Sequence, residues 1–322
     1  MAPLDFIASP LLGYLINGLV FSSIIVLGGI GLALVYSIVG FANFAHGDTM
    51  TVGAYAALIT LGIVGTGGVT VLGLPVTFFF ALLVAVVVAA VVAIVTEWVI
   101  YRPIDTDRLG LLIASIGVAF IYRAVLQIRF GTDFTRYGFE AQRPIELFLP
   151  YGIRITSHDV AIVLSATVLV VGLHLLLQYT DFGRKMRAMA DNPNLARVSG
   201  IRTRRIKYWT WVIGAGLAGA SGVFLGVYNQ LQPRMGFNIL LVVFAAVILG
   251  GIGSVYGAML GGVVIGMANQ FMPALPRLGE LFPLIPQSFG IPVGIEYANA
   301  VAFVIMVAVL LIRPSGIAGG AT

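Results

Sequence analysis

Polar and apolar positions do not alternate with any helical or strand period over most of this chain. They fall instead into long apolar runs separated by short polar passages. The runs cover residues 11–40, 49–66, 74–100, 109–128, 159–180, 208–230, 238–271 and 297–312. A helix crosses the hydrocarbon core of a bilayer with about 20 apolar residues, so each run is read as a membrane helix. Two runs are too long for one ordinary span. The run 11–40 is interrupted by Gly28, Gly29 and Gly31 and is expected to form one span plus a short offset helix. The run 238–271 carries Gly250-Gly251-Ile252-Gly253-Ser254 near its middle, and two short helices or a broken re-entrant pair fit it better than one rod. Strong runs alone give eight helices, and broken runs counted twice give about ten.

The polar passages set the orientation. Asp181–Lys207 holds eight cations (Arg184, Lys185, Arg187, Arg197, Arg202, Arg204, Arg205, Lys207) against Asp181 and Asp191. Basic loops are retained on the cytoplasmic side, which places this one there. Within it Asn192 suits a helix N-cap, Pro193 the first helical position and Gly200 a left-handed stop. The product is a short capped helix showing Leu195 and Val198 on one side, either a docking element or a solvated linker. Residues 129–158 mix both charges and are punctuated by Pro144 and Pro150, so they are placed outside, as is the proline-rich 273–296. Arg102 and Arg108 put the connection after the third span inside. Glu97, at that span's end, is expected to pair with Arg102.

Asn43-Phe44-Ala45-His46-Gly47-Asp48 forms a compact polar patch between the first two runs. Polar groups near hydrocarbon are costly unless they line a cavity or meet protein partners. Asp48 is expected to cap a helix over roughly 49–66, and for His46 alone a polar turn is the simpler account. Leu-Gly-Gly-Ile-Gly occurs at 27–31 and again at 249–253, each inside an over-long run. Interrupted helices at corresponding places in two halves point to a transport pathway, which brings in Gly250, Gly251 and Gly253. Gly214, Gly216, Gly219 and Gly222 read as helix-packing positions.

Composition agrees with the runs and removes several classes. The chain is 59% hydrophobic and 10% charged over 322 residues, with a mean hydropathy of +1.03. A soluble core has no use for that much apolar surface. The formal charge of +5 sits in juxtamembrane loops, so orientation explains it better than nucleic acid. There is no cysteine, hence no disulfide and no thiol chemistry. The N-terminus has no basic region ahead of its apolar run, and a cleaved signal peptide is not expected. No Walker-type loop, zinc spacing or nucleophile elbow occurs; His46, His158 and His174 are scattered. With few charges in mid-span, ion coupling lacks its usual groups, and energy delivered by a partner is the remaining option.

The chain resembles the inner-membrane permease subunits of ABC importers for branched-chain amino acids. The similarity lies in NFAHGD (43–48) with VGAY (52–55), YRP (101–103), LIASIG (112–117), MRAMADNPNLARVSGI (186–201), VILGGIGSVYGAMLGG (247–262) and LLIRPSGI (310–317). It implies an all-α polytopic membrane protein of the type II ABC importer permease kind, with about 8–10 transmembrane helices, some short or broken. It further implies a single permease domain over 1–322 in the plasma (inner) membrane, with a coupling loop at about 181–207. The partners implied are a second related permease (heterodimer or homodimer), two cytosolic ATP-binding subunits and an extracytoplasmic solute-binding protein. No cofactor is then expected on this chain, ATP and Mg being held by the partner ATPases, and no catalysis. By position, Arg187, Asp191, Asn192, Pro193, Leu195, Ala196, Arg197, Val198 and Gly200 match the ATPase-coupling segment. Asn43, Phe44, His46 and Asp48 match the pathway or its cytoplasmic mouth. The alternatives are the same machine carrying urea or a short amide, a self-contained channel or secondary carrier, and a structural scaffold.

Overall fold

The structure, a computed structural model, describes residues 3–139, 143–151, 153–277 and 297–318. Eleven α-helices are described: α1 (Pro3–Val39), α2 (Ala45–Val64), α3 (Val76–Thr96), α4 (Arg108–Phe130), α5 (Ser157–Tyr179), α6 (Asp181–Asp191), α7 (Pro193–Val198), α8 (Thr203–Tyr228), α9 (Met235–Gly250), α10 (Val255–Phe271) and α11 (Ala298–Ile312). Seven of these segments are long and apolar enough to cross a membrane, and α9 and α11 are shorter apolar helices. A π-helical turn, Glu97–Tyr101, continues α3. The only sheet among the described residues is a hairpin, β1 (Thr70–Val71) with β2 (Leu74–Pro75). Its turn puts Leu72 and Gly73 at φ 52° and 72°, the left-handed pair a two-residue hairpin loop requires. Most of 273–296, expected at the outer surface, lies outside the described residues.

The expectation for 11–40 does not hold. α1 runs unbroken through Gly28, Gly29 and Gly31 for 37 residues, about 55 Å at 1.5 Å per residue. Glycine weakens a helix by about 1 kcal/mol but does not end one whose neighbours pack tightly. For 238–271 the expectation does hold: α9 ends at Gly250, α10 begins at Val255, and Gly251 at φ 110° makes the turn. The two Leu-Gly-Gly-Ile-Gly segments therefore differ in structure, one mid-helix and one at a helix end.

Burial sorts the helices into a centre and a rim. α1 and α8 are the most enclosed, with 89% and 83% of their membrane windows buried, whereas α3, α4 and α5 are mostly open. The open faces carry Leu83, Val87, Val91 and Val95 on α3 and Phe120, Val125 and Ile128 on α4, all exposed. Such side chains suit lipid. At the centre small residues bring backbones together. A Cβ on Gly222 of α8 would collide with the Met50 carbonyl of α2, and one on Gly236 of α9 would collide with the Gly47 carbonyl. Because lipid tails are as apolar as leucine, this close packing is what holds membrane helices side by side. Ser221 and Ser22 add hydrogen bonds to the Ile24 and Val263 carbonyls at 2.7 and 3.1 Å, tying α1 to α8 and α10.

Gly222→Val should destabilise the purified protein by about 3 kcal/mol, the upper part of the overpacking range, and lower its thermal midpoint by several degrees. Gly62→Ala, where nothing lies within 4 Å, should leave the midpoint unchanged or raise it. Equal effects of the two substitutions in a melting assay would contradict the packing account.

Candidate functional site: a buried polar start and two end cavities

α2 begins inside the protein rather than at its surface. Its second residue, His46, is buried and donates Nε2–H to the Gly28 carbonyl of α1 at 2.8 Å. Gly28 lies about 16 Å along the helix axis from the end of α1 at Val39. Residues 40–44 therefore fold back along α1 before α2 starts. Irregular backbone is tolerated at such depth only where protein surrounds and satisfies it. Here Asn43 Oδ1 accepts from the Ala45 amide at 3.0 Å and the Tyr101 hydroxyl at 3.3 Å. The Phe44 amide donates to Ser115 Oγ on α4 at 2.9 Å, and the Phe44 ring lies 5.0 Å from that of Phe244 on α9.

Asp48 is not the cap. With Asn43 bonding the first helical amide, α2 starts at Ala45, and Asp48 falls in its first turn. The Asp48 carboxylate, fully buried, instead takes both arms of Arg123 on α4: Nε at 3.2 Å and a terminal nitrogen at 3.0 Å. The guanidinium also lies 4.3 Å from the centre of the Phe237 ring on α9, a cation–π contact. A carboxylate in the first turn is favoured by the helix dipole, and the planar fork of arginine matches it. Thr51 then joins α2 to the start of α9, its hydroxyl oxygen accepting from the Gly236 amide at 3.1 Å. Asn43, Phe44, His46 and Asp48 are thus brought together with α1, α4 and α9. Gly250, Gly251 and Gly253 are not part of this cluster. They form the turn at the far end of α9, where the Ile317 and Ala318 amides donate to the Leu249 and Gly250 carbonyls at 2.9 and 3.0 Å.

Arg123 was missed by the sequence reading, which passed over it inside the run 109–128. A lone arginine in a membrane-length apolar run is itself the signal, because such a charge faces the bundle interior and has a partner. Glu97 and Arg102 form no ion pair; among the described residues the ion pairs are Asp48–Arg123 and Asp181–Arg184.

The basic stretch folds as α6, α7 and the first turn of α8. Asn192 caps α7, accepting from the Asn194 and Leu195 amides at 3.1 and 2.9 Å, with Pro193 at the first position. At the other end Gly200, at φ 81°, closes a Schellman motif: its amide donates to the Arg197 carbonyl and that of Ile201 to the Ala196 carbonyl, at 3.1 and 3.0 Å. A six-residue helix has little stability of its own, and both ends are locked. Ala196 is buried, while Leu195 and Val198 are 63% and 86% exposed. Arg187 of α6 donates to the Leu177 carbonyl and to Gln178 Oε1, fastening α6 to the end of α5. Asp191, Pro193 and Arg197 line a cavity of about 740 Å³ at this end of the bundle.

A second cavity, about 990 Å³, opens toward the ends of α8 and α10 and the start of α11. Amide side chains dominate its polar wall (Asn229, Gln230, Gln232, Asn238, Asn269, Asn299), and Phe21, Ile239 and Val242 supply apolar surface. Met235, first residue of α9, is part of its wall, so the positive end of that helix borders the space. The sequence reading did not single out these amides, which come from four separate segments. Phe134 and Arg136 line this cavity and Asp191, Pro193, Arg197 and Arg204 the other, so the segments 129–158 and 181–207 lie at different ends.

Membrane-length helices packed around a buried, broken start, with a cavity at either end, define a multi-pass membrane transport component. More specifically, the chain belongs to the family described as the permease component of branched-chain amino acid transport systems, whose sequence model matches residues 14–310. It is 32% identical over 318 residues to the high-affinity branched-chain amino acid transport system permease protein BraD of Pseudomonas aeruginosa, covering 95% of this chain and 94% of the relative. It is 31% identical over 307 residues to the corresponding protein LivH of Escherichia coli K12, covering 94% of each. A probable LivH of Methanocaldococcus jannaschii is also 31% identical, with 94% of this chain and 91% of the relative covered.

Removing one partner of a buried ion pair strands the other charge, at a cost of about 3–5 kcal/mol. Asp48→Asn and Arg123→Gln should each lower thermal stability by that order, and the double substitution by clearly less than their sum. Additive losses in a double-mutant cycle would show that the two side chains do not act as a pair.

Proposed function

We propose that this chain forms the translocation pathway of an ATP-driven importer of branched-chain or similar neutral amino acids and catalyses no reaction itself. The observation that carries this reading is α7, a rigid helix locked at both ends and presenting Leu195 and Val198 outward. ATP-driven closure of a partner can move a permease equilibrium only through contacts that differ between states. A stiff knob fixed to the bundle by Ala196 and, through α6, by Arg187 transmits such a displacement. The cations around it favour the cytosolic side. In this reading two cytosolic ATPases hold ATP and Mg, a second related permease completes the pathway, and an extracytoplasmic binding protein delivers the solute.

The amide-walled cavity at the opposite end supports the choice of cargo. Amide N–H groups and the positive end of α9 suit an α-carboxylate, amide carbonyls suit an α-ammonium, and Phe21, Ile239 and Val242 suit an aliphatic side chain. The same amides also suit urea or a short amide, so leucine and urea uptake are to be compared directly.

Leu195→Asp and Val198→Asp should abolish ATPase copurification and ATP-dependent leucine uptake while leaving membrane insertion and thermal stability intact. Uptake and copurification at the unaltered level in both variants would remove α7 from the mechanism. Uptake of urea, uncompeted by leucine, would keep the machine and change the cargo.

A further inference from the structure

The cavity beside α7 has a composition that transport does not explain. Five cations line it: Arg102 after the π turn, Arg108 at the start of α4, Arg197 on α7, and Arg204 and Lys207 on α8. Two carboxylates, Glu97 and Asp191, oppose them, and none of the five cations forms an ion pair among the described residues. The orientation rule accounts for cations on one side of a membrane, but not for their convergence on one hollow from four separate segments. α8 begins at this hollow with no side chain capping it, and its first residues, Thr203 and Arg204, line the wall. The positive end of its helix dipole therefore lies at the cavity wall. Trp98 and Trp209, both exposed, follow the wall residues Glu97 and Lys207 by one and two positions. Exposed tryptophan concentrates at the depth of the lipid headgroups.

We infer that this cavity binds a phosphate-bearing anion, held by Arg102, Arg108, Arg197, Arg204 and Lys207 around the open start of α8. Guanidinium groups match phosphate oxygens in pairs, and a lysine adds a point charge. The same chemistry is offered by the headgroup of an anionic phospholipid and by a free phosphate. The assignment needs no cargo: of its five cations only Arg197 is among the residues given to ATPase coupling.

The test uses the full chain in nanodiscs of phosphatidylcholine with a minor fraction of phosphatidylglycerol, followed by native mass spectrometry of the lipid retained on release. A parallel arm titrates delipidated protein with inorganic phosphate by calorimetry. Arg204→Gln combined with Lys207→Gln should weaken retention about 25-fold, at roughly fivefold per cation near a membrane surface. Arg102→Gln combined with Arg108→Gln serves as a second cavity variant should the first fail to fold. Arg184→Gln combined with Lys185→Gln removes the same charge from the same basic stretch outside the cavity and should retain lipid like the parent. Phosphatidylglycerol lost only in the cavity variants supports the site with lipid as its source. Phosphate binding lost only in those variants supports it with a soluble source. No binding of either, or equal losses in cavity and control variants, overturns it.

Discussion

Inside hydrocarbon, an irregular stretch of chain persists only if protein meets each of its polar groups, and the start of α2 is where this chain faces that demand. Asn43, Phe44, His46 and Asp48 are answered one by one by Tyr101, Ser115, Gly28 and Arg123. Those partners sit beyond α3, on α4 and on α1, so satisfying one short segment fixes three neighbours around it. The Asp48–Arg123 pair is the costliest member, because either charge alone would be stranded. α9 is drawn into the same knot by Thr51 and by the ring of Phe237 over the arginine.

That knot relates the two ends of the molecule. α9 runs from the wall of the amide-walled cavity to the Gly250 turn, where the chain's last described residues bond its final carbonyls. Gly253, beside that turn, borders the cationic cavity, which also touches α7. α7 and the turn after α9 thus border the same cavity at one end, while α9 reaches the other. Through packed helices α7 reaches α9 by way of α8 and α2.

The features that sequence made readable were those governed by local rules. Apolar run length gave the spans, Asn192, Pro193 and Gly200 gave α7 with both caps, and Gly250–Ser254 gave the break between α9 and α10. Gly214, Gly219 and Gly222 were read as packing positions, and they meet α1, α3 and α2 at close range. What failed depended on partners distant in sequence. Gly28, Gly29 and Gly31 looked like a break, yet neighbouring helices hold α1 continuous across them. Asp48 looked like a cap because a cap is local, whereas its partner is 75 residues away. Arg123 was overlooked because hydropathy averages hide one charge, although membrane energetics make that charge conspicuous. The amide cavity is assembled from four segments of modest polarity, and no single one of them carries a signature.

The central claim is that this chain is a passive pathway opened from one side by nucleotide hydrolysis on a partner. The most direct measurement is uptake of labelled leucine into proteoliposomes holding the chain with its partner subunits and binding protein, with ATP enclosed on the α7 side. The account predicts accumulation that requires ATP and the ATPases, and that is indifferent to collapse of proton and sodium gradients. Accumulation without the ATPases, following an ion gradient, would contradict it.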